Sequence, residues 1–261
     1  MKTKSGYANA HGLEMYYEIH GEGSPLLLLH GALSTIGISF GKVLPDLASG
    51  RQVIAIEQQA HGHTADIDRP LTYAQMADDT AALLSQLGIE STDLFGYSMG
   101  AGIAMQLAIR HPKVVQRLVA ASVTYNQQGF HPEFLAGAGE AQPEDLAGSL
   151  FQEEYARVAP KPHDWPRLFA RVNQLDREIQ DWRPETIASI KIPTLLIIGD
   201  SDIVRPEHAV ELFRLLGGGV AGDLTGLPRS QLAVLPGTTH MALMERSSWL
   251  VSMITQFLDG N

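Results

Sequence analysis

The sequence predicts an α/β fold: a mostly parallel central sheet flanked by helices, with a helical insertion. Three observations predict it. Short, wholly apolar runs of strand length recur, such as Leu26-Leu27-Leu28-Leu29 and Thr194-Leu195-Leu196-Ile197-Ile198. Such runs suit parallel strands buried on both faces. Helical segments with their own start and stop signals separate them, which implies βαβ units. One stretch, residues 124–189, breaks the alternation and holds no buried strand.

The elements follow in order. Residues 6–20 form a hairpin about His11-Gly12, with Met15-Tyr16-Tyr17-Glu18-Ile19 as its β-rich arm. A turn at Gly21-Glu22-Gly23-Ser24-Pro25 leads into the strand 26–29. Residues 52–56 are a second buried strand. Residues 72–87 are a helix with Thr72 as N-cap and Gly88 as its stop. Strand 93–95 leads into helix 99–111, halted before Pro112. Strands follow at 117–122, 194–198 and 231–235, the last after a Gly-rich surface loop at 217–230. Residues 242–258 are a closing amphipathic helix. Residues 1–123 and 190–261 are therefore one α/β core, and 124–189 a helical cap. Phe130, Phe134, Phe151, Tyr155, Trp165, Phe169 and Trp182 mark that insertion as folded, because disordered segments are poor in aromatics.

Composition narrows the function. A chain of 261 residues that is 44% hydrophobic is sized for one α/β unit with a large core. Its net charge of -10 and lack of Lys/Arg clusters argue against a nucleic-acid surface, which must neutralise phosphates. The absence of cysteine excludes disulfides and thiolate metal sites. The start, Met1-Lys2-Thr3-Lys4-Ser5-Gly6-Tyr7, has no apolar segment behind it, and no apolar run approaches the ~20 residues of a membrane span. A cytoplasmic location is expected.

The chemistry centres on Gly96-Tyr97-Ser98-Met99-Gly100, a G-x-S-x-G motif between a strand and a helix. A serine on such a turn stands exposed at the carboxyl end of the sheet. Free backbone N–H groups at the helix start favour developing negative charge there. Met99 is then one oxyanion donor. Ala32 is the second, with Leu33 as the alternative, from the loop His30-Gly31-Ala32-Leu33 after strand 26–29. His30 is read as a structural ring that fixes this loop.

A serine hydroxyl needs a base, and the base an orienting acid. In such folds the order along the chain is Ser, acid, His. His240 follows strand 231–235 and the turn Pro236-Gly237-Thr238-Thr239, which places it on the edge that carries Ser98. His208, after Pro206, and His163, in the insertion, do not reach that edge. Gly199-Asp200-Ser201-Asp202 offers two acids. Asp202 is the expected partner of His240, and Asp200 the support of the turn. His61-Gly62-His63 looks like a metal pair but lacks a third ligand nearby, so it reads as a tight loop.

With these residues in view, the chain resembles the α/β-hydrolase superfamily, and within it the small, cofactor-free esterase and haloperoxidase-like members with a helical cap. The resemblance rests on His30-Gly31, the elbow about Ser98, Gly199-Asp200-Ser201-Asp202 with Pro206, and Gly237-Thr238-Thr239-His240. It implies an α/β-hydrolase fold and an ester hydrolase using Ser98, Asp202 and His240 without a cofactor. One motif departs: members often carry Asp-x-Arg-Gly-His-Gly-x-Ser where this chain has Glu57-Gln58-Gln59-Ala60-His61-Gly62-His63-Thr64. Gln59 in place of Arg implies a change in loop packing or pocket polarity. A carbon–carbon bond hydrolase, a lactonase, an amidase and a non-catalytic receptor share the fold, and the first three share the triad.

The expected substrate is a small-molecule ester with a short to medium acyl group. It would sit in an apolar pocket under the insertion, contacting Phe130, Phe134 and Trp165, with Leu33 and Met99 at the mouth. Arg157, Arg167, Arg171, Arg177 and Arg183 are spread out and expected to face solvent.

Overall fold

The computed structural model describes residues 3–137, 140–177 and 181–260. Met1, Lys2, residues 138–139 and 178–180, and Asn261 lie outside the described residues. Among those described, the strands are β1 (Thr3–Ala10), β2 (Leu13–His20), β3 (Ser24–Leu29), β4 (Arg51–Ile56), β5 (Thr92–Tyr97), β6 (Val115–Ala121), β7 (Thr194–Ser201) and β8 (Ser230–Thr239). They form one sheet in the order β1-β2-β4-β3-β5-β6-β7-β8. The β1–β2 and β2–β4 pairs are antiparallel, and every other pair is parallel. The longer helices are α1 (Tyr73–Gln86), α2 (Met99–Arg110), α3 (Leu150–Val158), α4 (Trp165–Arg177), α5 (Pro206–Leu215) and α6 (Ser247–Leu258).

The apolar runs are explained by two cores, one on each face of the sheet. Leu27 and Leu29 of β3 join one core with residues of α1 and α2, such as Met76 and Ile103. Leu26 and Leu28 join the other with Ile254 and Phe257 of α6. Side chains alternate along a strand, so a strand covered on both faces must be apolar throughout. All four leucines are fully buried, each contributing roughly 1.5–3 kcal/mol of burial.

Local signals set the ends of several elements. His11 and Gly12 carry φ of 52° and 85°, the paired positive values of a two-residue hairpin turn. Thr72 caps α1, its Oγ1 accepting from Gln75 N–H at 3.1 Å. Two ends differ from the sequence expectation. Pro236-Gly237-Thr238-Thr239 is not a turn but the irregular continuation of β8, whose register against β7 shifts between Gly199 and Ser201. The Asp200 carboxylate stands in for the ladder there, accepting from Gly237 N–H at 2.9 Å and Thr238 N–H at 3.1 Å. The closing helix starts later than expected, at Ser247, after a 3₁₀ turn at Leu243–Glu245. Arg246 separates the two, held back toward β8 by bonds from its guanidinium to Thr238 Oγ1 (3.1 Å) and Gly237 O (2.7 Å).

The segment between β6 and β7 is built from short helices. Trp165, Phe169, Val172 and Tyr155 of α3 and α4 form a small core with Ala60. At its root, Trp182 N–H donates to Tyr125 O at 2.9 Å. Ile187, on the short helix Pro184–Ala188, packs into the main core instead. Two arginines expected to face solvent are tied down. Arg167 and Arg171 of α4 both pair with the buried Asp66, the latter at 3.3 Å. Asp66 also accepts from Gln59 Nε2 at 2.7 Å, and Gln59 Oε1 accepts from Arg69 Nε at 2.7 Å. The cations around this loop thus come from α4 and Arg69, not from position 59. No helix among the described residues is long and apolar enough to cross a membrane.

Candidate active site

The turn between β5 and α2 forces Ser98 into φ 56°, ψ −121°, a region that costs a non-glycine residue roughly 1–3 kcal/mol. It is tolerated because its neighbours have no side chain. A Cβ on Gly96 would lie 2.4 Å from Gly100 O, and a Cβ on Gly100 only 1.9 Å from Leu29 O at the end of β3. The elbow therefore fits only while both positions are glycine. Ser98 caps α2, where the first N–H groups lack helical partners and the dipole is positive.

His240 follows β8 directly, and Asp202 lies just past the end of β7. The structure brings both to Ser98. Ser98 Oγ lies 3.0 Å from His240 Nε2, and His240 Nδ1 lies 2.9 Å from Asp202 Oδ1. Asp202 is buried and accepts further bonds from Ser122 Oγ, from Val204 N–H at 3.2 Å and from Gly199 N–H at 3.4 Å. Burial alone would raise its carboxyl. The bond and charge of His240, with the bonds from Ser122 and Val204, outweigh that and hold it below the usual carboxylate range. Tyr97 steadies the imidazole: its ring stacks on His240 at 5.2 Å, and its hydroxyl donates to His240 O at 3.0 Å. Asp200, by contrast, is exposed and bonded to the β8 backbone.

The loop after β3 is fixed from beneath. His30 is fully buried, its Nδ1 bonded to Gly31 O at 2.8 Å and its Nε2 accepting from Gln58 N–H at 3.0 Å. Burial pushes its ring below the ordinary histidine range, so it stays neutral. Leu33 carries φ 57° in the same loop. His61 is buried too, pushed down to about 3 by desolvation and the neighbouring His30 ring. Its Nδ1 meets Gln59 O, whereas His63 Nδ1 meets Glu57, so the two rings serve different partners.

A cavity of about 70 Å³ opens at Ser98 and His240. Ala32, Met99, Phe130 and Phe134 line it, together with Tyr73, Ser122, Val123, Leu175, Asp176 and Ile203. Trp165 and Leu33 do not. Trp165 is a buried member of the small core of Tyr155, Phe169 and Val172, and Leu33 packs against that core. Both are corrections to the expected pocket: a bulky aromatic at the start of α4 fills the interior of the insertion before it reaches the site.

Tyr73, Ser122, Val123, Leu175, Asp176 and Ile203 escaped the sequence reading, and three of them carry polar groups. Ser122 ends an apolar strand and has φ 56°, a geometry that periodicity cannot reveal. Tyr73 sits at the first position of α1. Asp176 did leave a signal. It follows Phe169 by seven residues and Val172 by four, so it falls on the apolar stripe of α4.

The profile of the alpha/beta hydrolase fold family matches residues 24–181, more than half of the chain. A curated relative, an sn-1-specific diacylglycerol lipase of Xenopus laevis, is 34% identical over 91% of this chain and 80% of its own length. A meta-cleavage product hydrolase of Pseudomonas fluorescens IP01 superposes with a TM-score of 0.81 at 21% identity, covering 98% of this chain and 97% of that one. A carboxylesterase of Bacillus subtilis superposes with a TM-score of 0.74 at 18% identity, over 100% and 93%. At such identities the two structures speak for the fold alone; the profile and the lipase relative carry the kinship. The chain belongs to the α/β-hydrolase fold family of hydrolases.

Proposed function

We propose that the chain is a serine hydrolase of carboxylic esters with short to medium acyl groups, with Ser98, His240 and Asp202 as its catalytic triad. The observation that carries this reading is the unbroken relay from Ser98 Oγ through His240 to Asp202, at 3.0 and 2.9 Å, on the wall of a cavity. Ser98 Oγ attacks the ester carbonyl while His240 Nε2 takes its proton. Backbone N–H groups of Met99 and Ala32 receive the oxyanion. His240 then gives the proton to the leaving alcohol. Water, deprotonated by His240, attacks the acyl-enzyme, and the acid departs as Ser98 regains its proton. Asp202 holds the imidazole in the tautomer that accepts at Nε2 and offsets its charge. Every step uses side chains, backbone amides and water.

The cavity favours small acyl groups. At about 70 Å³ it is well below the roughly 300–1,000 Å³ of sites that enclose drug-sized ligands. The kinship with a lipase agrees with ester chemistry.

The test is kcat/KM for p-nitrophenyl esters from acetyl to palmitoyl, for wild type and Ser98→Ala. Wild type is expected to peak at short to medium chains, and Ser98→Ala to fall by about 10⁴-fold or more. A fluorophosphonate should label wild type and not the variant. A maximum at palmitoyl, or no ester turnover beside rapid carbon–carbon cleavage of a diketone, overturns the proposal.

A further inference from the structure

The cavity holds one ionised group that the proposed reaction does not use. Asp176 lies near the end of α4, on the stripe of Phe169 and Val172, and is one of the residues lining the cavity with Ser98 and His240. Among the described residues it has no hydrogen-bond or ion-pair partner. No Lys or Arg lines the cavity either; its walls combine Leu175, Phe130, Phe134 and Tyr73 with Ser98, Ser122, Thr124 and His240. Desolvation alone acts on its carboxyl, pushing it up to about 6, so it is mostly ionised at neutral pH.

A desolvated carboxylate without a counter-charge is costly unless it gains a partner. The arginines of α4 are engaged elsewhere, Arg167 and Arg171 with Asp66. The missing positive charge is therefore one a ligand can bring. Aromatic faces at Phe130 and Phe134, stacked 4.9 Å apart, suit a cation as well.

We propose that Asp176 is the specificity-determining residue of this site, selecting esters that carry a protonated amine and disfavouring those that carry a carboxylate. This rests on the ester-hydrolase reading and adds the substrate's charge to it. The amine can sit in the acyl or the alcohol half, and the test separates the two.

The experiment compares wild type with Asp176→Asn at neutral pH. One series of esters shares its alcohol and carries butanoyl, 3-aminopropanoyl or succinyl as acyl group. A second pair, propyl and 2-aminoethyl butanoate, moves the amine to the alcohol. Rates are normalised to hydroxide-catalysed hydrolysis, which removes intrinsic reactivity. The readout is the ratio of amine-bearing to neutral ester, not absolute activity. In one of the two series the wild-type ratio should exceed that of Asp176→Asn by about tenfold or more, the usual worth of a charged hydrogen bond. The succinyl ester should gain on the neutral one in the variant. Ratios equal in the two proteins, in both series, overturn the proposal. A second measurement stands apart from turnover: calorimetric binding of butylammonium to Ser98→Ala and to Ser98→Ala/Asp176→Asn. Tighter binding to the former by about tenfold supports the role of Asp176 even if no ester is cleaved, which would sink the esterase reading alone. Equal binding overturns the role of Asp176 even if esters are cleaved.

Discussion

Two aspartates two residues apart, Asp200 and Asp202, do different work because the first stays on the exposed end of β7 and the second, just past it, is buried. Asp200 is exposed and pinned to the backbone of β8, whereas Asp202 is buried against His240. Asp202→Asn should lower kcat by up to about 10⁴-fold, as an amide no longer fixes the correct imidazole tautomer. Asp200→Asn should cost far less, and a larger loss there would reverse the assignment. Ser122 reaches the same carboxylate through Oδ2. As a positioning residue it acts through Asp202, so Ser122→Ala should lower kcat by roughly tenfold while leaving KM nearly unchanged. A rise in KM with kcat intact would make Ser122 part of the pocket wall instead. The elbow was legible in the sequence because local chain geometry fixes it, whereas the expected order Ser, Asp, His came from the fold and not from local spacing. Ser122 was not legible, since its role depends on β6 and β7 lying side by side.

At the scale of elements, strand positions were readable because burial on both faces leaves a run of apolar side chains. Helix α1 was readable from Thr72 and Gly88. Ends set by side chains reaching across the fold were not: Asp200 lengthens β8, and Arg246 delays α6. The same holds for the attachment of the insertion. Asp66, 105 residues from Arg171 in the chain, joins Arg167 and Arg171 of α4 to Gln59. Asp66→Asn leaves those guanidinium groups without a charge partner, one of them only 17% exposed. A loss of about 1–3 kcal/mol is expected, confined largely to the insertion. Limited proteolysis should then cut within the insertion sooner than wild type, with little change in the core. Uniform loss of protection across both regions would show that the pair stabilises the whole chain.

For the whole molecule, the two cores of the sheet supply the stability and the cavity between sheet and insertion gives some of it back. Asp202 and Asp176 make the point through opposite pH signs. The Asp202 carboxyl is held below its ordinary value, so it contributes stability above that value, lost as pH falls through the lower folded one. The Asp176 carboxyl is raised from 3.8 to about 6. It therefore opposes folding wherever it must ionise in the cavity. That cost is full above about pH 6, declines as pH falls, and vanishes below the unfolded value near 3.8. Asp176→Asn removes it without changing shape. The variant should exceed wild type by about 1–2 kcal/mol at pH 8, a figure discounted for water entering the cavity. The gap should close by about pH 4, where wild type carries a neutral acid. Urea unfolding of both proteins at pH steps between these limits measures it. A gap independent of pH would mean that the variant gains through packing or helix propensity, not through charge. A gap that closes as described would identify Asp176 as an acid kept against the interest of stability, as groups held for a ligand often are.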